Sequence, residues 1–152
     1  MNISNYEVAI ESVITIAKYL KIDIPEVYFE KDEEFPRRDV SAFFLYDENY
    51  IVYNKDWLKD ATSLEIVITA FHEVRHAYQA YSIKNNVNED PETLKRWEEE
   101  FVIDSFEDED NFKKSIEIDA IQFAHEKMYE IYGVKTFIPE SIKHLIKVNY
   151  DE

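Results

Sequence analysis

The sequence predicts an α+β domain in which a small antiparallel sheet packs on one long helix, with further helices around it. Three observations predict it. Residues 63–85 and 112–132 carry apolar side chains at helical spacing. Two β-rich runs, 42–46 and 50–53, flank Asp47-Glu48-Asn49 and read as a hairpin with a three-residue turn. The strands fall in one stretch between a first helix and several later ones, the order of an α+β domain. At 152 residues, 45% hydrophobic and 15% aromatic, the chain (1–152) reads as one domain able to build a core.

Each element has a local reason. Ser4 and Glu7 form a capping box for a helix over about 5–21, whose apolar set is Val8, Ile10, Val13, Ile14, Ala17 and Leu20. Pro25 breaks that pattern, and Val27-Tyr28-Phe29 reads as a short strand. After the hairpin, Trp57 and Leu58 pack a short connector. Thr62 and Glu65 open the helix over 63–85. Asp90-Pro91 starts a helix over about 91–106 on Leu94, Trp97, Phe101 and Phe106. Gly133, the only glycine, falls where a left-handed cap would close the 112–132 helix, and Pro139 opens a last helix with Ile142, Leu145, Ile146 and Val148. Tyr50–53 borders the long helix and is the expected edge strand, to which an extended peptide could add by main-chain hydrogen bonds.

The long helix carries His72-Glu73-Val74-Arg75-His76, an H-E-x-x-H motif. Histidines four apart on a helix project from one face, so both imidazoles can reach one metal ion, and the intervening Glu73 sits where it can take a proton from a water on that ion. Ile66, Val67, Ala70, Phe71, Val74, Ala77, Tyr78 and Tyr81 form one apolar arc, and His72 and His76 lie outside it beside Thr69, Glu73 and Ala80. A core pair should fall within the arc, and a surface pair would not need small neighbours. Arg75 points away from the two histidines and reads as a surface or acid-pairing residue.

A catalytic zinc takes three protein ligands and keeps a fourth position for water. Glu117 projects near the centre of the stripe Ile116, Ala120, Ile121, Ala124, Met128 and Ile131. A carboxylate there is costly unless a cation meets it, either a metal or a lysine or arginine. Asp119 projects to the polar side, a weaker ligand candidate and a candidate acceptor for a histidine N–H.

Together, H-E-x-x-H at 72–76 and Glu117-Ile118-Asp119-Ala120-Ile121-Gln122-Phe123-Ala124 resemble the gluzincin metallopeptidases, above all small bacterial and phage members of the ImmA/IrrE type, with their later E-x-E/D-A-x-x-F-A. The resemblance covers residues 63–85 and 112–132 and, loosely, the preceding strands. It implies a zincin-like fold, Zn²⁺ on His72, His76 and Glu117, Glu73 as general base, and limited proteolysis of a protein partner such as a regulator. The zinc would lower the pKa of its water from about 15.7 to about 7. His125, His144, Tyr46, Tyr50, Tyr53, Tyr78 and Tyr81 are the candidates for a further oxyanion donor.

Composition bounds the rest. Without cysteine, any metal must be held by histidine and carboxylate. A net charge of −16 argues against binding nucleic acid through phosphates. No run approaches membrane-spanning length and the N-terminus lacks a signal pattern, so a cytoplasmic location is the default expectation. Residues 89–110 hold eleven acids against Lys95 and Arg96, within an acidic helical insertion at about 86–111. That stretch reads as a solvated helix face plus loop, or as a docking surface for a basic protein. The competing functional readings are a metal-stabilised or inactive acidic interaction module and an acidic decoy that mimics DNA.

Overall fold

Side chains at the helix ends explain most element boundaries in the computed structural model, which describes residues 4–35, 40–103 and 114–148. Helix α1 (Asn5–Leu20) starts where Ser4 Oγ accepts the Glu7 amide at 3.2 Å and ends at Lys21 in the left-handed region. Strands β1 (Glu26–Glu30), β2 (Ala42–Leu45) and β3 (Tyr50–Asn54) follow. Asn54 then caps α2 (Lys55–Asp60) by accepting from the Asp56 and Trp57 amides, so the expected connector is a helical turn. The long helix α3 (Ser63–Asn85) opens with Thr62 Oγ1 accepting the Glu65 amide at 3.2 Å and donating to the Glu65 carboxylate at 3.0 Å. In α4 (Pro91–Ile103), proline takes the first helical position behind the Asp90–Thr93 cap. Helix α5 (Ser115–Tyr132) closes at Gly133, whose φ of 68° is the left-handed value a glycine takes without strain.

Helix α5 has no side-chain cap of its own. The cap comes from α4: Glu100 accepts the Ile116 amide at 2.9 Å and the Ser115 hydroxyl at 2.7 Å. A carboxylate at the positive end of a helix is favourable on both hydrogen-bonding and dipole grounds. Glu100 thus serves the fold, whereas Glu98 and Glu99 are exposed on α4. Glu100→Ala is expected to lower stability by about 1–2 kcal/mol in urea denaturation; an unchanged midpoint would show that α5 starts without its help.

The sheet is mixed, which corrects the expected antiparallel one. Its order is β1-β3-β2, with β3 parallel to β1 and antiparallel to β2. β3 therefore lies at the centre, not at the edge predicted for residues 50–53. Burial is the physical reason. Ile51, Val52, Tyr53 and Asn54 are buried in succession, so β3 needs cover on both faces and both edges, while β1 alternates between exposed and half-buried. The four-residue turn 46–49, with Asn49 left-handed, brings β2 against one edge of β3. β2 is the edge strand that packs on α3.

Helix α3 occupies the middle, packed on α1, α5, α4 and β2. Val13 and Ala17 of α1, Ile51 and Tyr53 of β3, Ile66, Phe71 and Val74 of α3, and Ala124 and Met128 of α5 belong to one core. A smaller cluster joins Leu94 and Trp97 of α4 to Ile116 of α5, with Tyr78, Ile83 and Phe101 against it. The expected last helix is a 3₁₀ turn, Glu140–Leu145, with Leu145 and Val148 exposed. Beyond it the Gln122 amide takes both the N–H and the C=O of Lys147, the groups a continuing helix would have used. The expectations for residues 104–106, 107–110 and 112–113 lie outside the described residues. Among the described residues, no helix is long and apolar enough to cross a membrane.

Candidate metal centre

The packing of α3 on α5 brings His72, His76 and Glu117 together, with one ligand-type atom from each within 4.8 Å of the others. Glu117 Oε2 lies 3.2 Å from His72 Nε2, and Glu117 Oε1 lies 2.8 Å from His76 Nε2. The two imidazole centroids are 4.9 Å apart with their planes at 81°. His76 is buried although it lies outside the apolar arc of its own helix. Neighbouring elements cover it: Glu117 from α5, and Phe101 from α4 with its ring 6.1 Å away. Glu73 is only 8% exposed, and its charge reaches both His76 and the phenol of Tyr53.

Electrostatics inside the cluster are strongly coupled. Burial by itself would pull His76 down, but the Glu117 carboxylate outweighs it, with help from Glu73 and Gln79, and raises His76 to about 10. Burial would likewise raise Glu117, yet His76 and then His72 hold its carboxyl well below the usual carboxylate range. A raised histidine contributes stability below its unfolded pKa and loses it as pH rises through the folded one. Chelator-treated protein is therefore expected to lose thermal stability progressively between about pH 6.5 and pH 10. Glu117→Ala should remove that slope, and a parent whose melting temperature stays flat across the window would contradict the coupling.

The donor set suits zinc. Two imidazole nitrogens and one carboxylate match its preference, and donors about 2.0–2.1 Å from a tetrahedral ion stand roughly 3.3 Å apart. The His72–Glu117 separation is already near that figure, and the His76–Glu117 contact is shorter because the two groups touch directly. Behind His76, its Nδ1 lies 2.9 Å from Gln79 Oε1. Asp119 is not among the three converging residues. It takes the Arg75 guanidinium through both oxygens, at 2.8 and 3.1 Å, and one of them also accepts from Gln79. Arg75 is thus an acid-pairing residue, with Tyr78 and Phe123 rings against its guanidinium.

The candidate oxyanion donors scatter. Tyr53 is fully buried, with no hydrogen-bond partner for its hydroxyl among the described residues, and burial followed by the Glu73 charge pushes its phenol up. Tyr78 donates to Glu89 at 2.6 Å, Tyr50 packs on Tyr28, and Tyr46 stacks on Phe101. His125 is buried against Thr136, His144 is exposed on the 3₁₀ turn, and Tyr81 is half-buried on α3. Two roles go beyond the sequence reading: Gln79 behind His76, and Glu100 as the cap of α5. Gln79 had a readable signal, three residues after His76 on the same helical face, whereas Glu100 had none.

Comparison with known proteins returned no matching family model, no similar curated protein and no similar solved structure.

Proposed function

We propose that the protein is a zinc-dependent peptidase that cuts a peptide or protein substrate, with His72, His76 and Glu117 as metal ligands and Glu73 as general base. The observation that carries this reading is the convergence of two imidazoles and a carboxylate, from separate helices, on one point. A fold that placed Glu117 and His76 in its interior for stability alone would have gained as much from apolar side chains, because desolvating a charged pair largely cancels its attraction. The zincin-like assignment belongs to the same proposal; the α+β architecture is compatible with it.

Zinc bound to these three residues would supply a Lewis acid that acidifies water and polarises a carbonyl. The chain's own residues do the rest. Glu73, mostly withdrawn from solvent beside His76, takes the proton of the attacking water and passes it to the leaving amine. His72 remains the more open ligand, its side chain 25% exposed against 7% for His76, so substrate approaches from the His72 side. β2 is the strand edge nearest α3 and the candidate for pairing with an extended peptide.

The test is metal content of the purified parent and of His72→Ala, alongside a proteolysis screen on casein and candidate protein substrates. About one zinc per parent chain, lost in the variant, supports the metal centre. Zinc without cleavage of any substrate would favour a metal-stabilised interaction module, and a parent that takes up no zinc would end the proposal.

A further inference from the structure

We infer that Gln79 is the positioning residue of this centre: it decides which nitrogen of His76 is presented to the metal and ties that ring to α5. The inference rests on reading His72, His76 and Glu117 as metal ligands.

Gln79 is fully buried, so its amide must find all its partners inside the protein. Its Nε2 lies 2.9 Å from the Ile116 carbonyl and 2.8 Å from Asp119 Oδ2. The carbonyl can only accept, and the Asp119 carboxylate accepts two bonds from Arg75. Turning the amide over would set its oxygen against two acceptors, so its orientation is determined by the network. Its oxygen therefore faces His76 Nδ1 at 2.9 Å, and an oxygen there requires Nδ1 to carry a hydrogen. The neutral ring then keeps its lone pair on Nε2, which faces Glu117 Oε1 at 2.8 Å. A lone pair and a carboxylate oxygen hold that distance only with a cation between them, a proton or a metal ion. Arg75, Asp119 and Gln79 thus form a relay that ends in a ring aimed at the metal position. An amide takes the place behind the histidine where a carboxylate or a backbone carbonyl often stands.

The test compares zinc affinity, by chelator competition, and the His76 Nδ1–H proton signal, by NMR, in the full chain. In Gln79→Leu, zinc affinity is expected to fall about 10–100-fold, and the solvent-protected Nδ1–H signal should disappear. A residue that only packed α3 on α5 would lower the melting temperature and leave both readouts alone. Parent-like zinc affinity and an unchanged signal in Gln79→Leu would overturn the inference. If that variant fails to fold, a parent protein whose NMR spectrum shows no solvent-protected Nδ1–H on His76 would overturn it instead. A parent that binds no zinc would sink the proposed function but not this test, because the Nδ1–H signal of the metal-free protein still reports whether Gln79 holds the ring.

Discussion

Glu73→Gln is expected to reduce peptide hydrolysis about 10²–10⁴-fold, the usual contribution of a positioned general base, while zinc content stays at the parent level. Glutamine matches glutamate in volume, so the buried site gains neither cavity nor clash. What it loses is the capacity to accept and return a proton. Glu73 is not among the three residues whose ligand atoms converge, so metal should survive its replacement. Turnover on a cleaved substrate and metal analysis of the same preparation decide the matter. A variant that cleaves at the parent rate would remove Glu73 from the mechanism, and one that loses its zinc would make it a ligand or a structural support.

Glu117→Ala is the complementary case, expected to weaken zinc binding by more than about 100-fold, since changes behind the ligands alone cost 10–100-fold. Glu117 is the only anionic member of the converging set and touches both imidazoles. Asp119, the sequence-level alternative, cannot simply replace it. Both of its oxygens are committed to Arg75, and one also to Gln79, so recruiting it would dismantle the support behind His76. Chelator competition reads the loss directly. Retained full occupancy would require a third position filled by water or by another side chain.

These two variants probe opposite sides of one arrangement. One keeps the metal and removes the proton carrier; the other removes the metal and leaves the carrier in place. If both lose hydrolysis but only Glu117→Ala loses zinc, the division of labour between the helices stands.

Much of this was legible from local pattern. The α3 boundaries follow from Thr62, Glu65 and the apolar arc, and α5 ends at Gly133, which takes the left-handed φ of its cap without strain. H-E-x-x-H spacing places two imidazoles on one side of a helix, and a lone carboxylate on an apolar stripe marks Glu117, since both are properties of a single helix. Sheet order was not legible in the same way. Hairpin signals identify β2 and β3, but whether β1 joins beside β2 or β3 depends on which strand must be covered on both edges. Nor could the chain alone foretell that Glu100 would cap a helix sixteen positions on, that Asp119 would pair with Arg75, or that Ile116 and Asp119 would fix the Gln79 amide behind His76. Helical periodicity says which way a side chain points, but not what stands opposite. The partners come from the packing of α3, α4 and α5, where buried polar atoms must find one another because water cannot reach them.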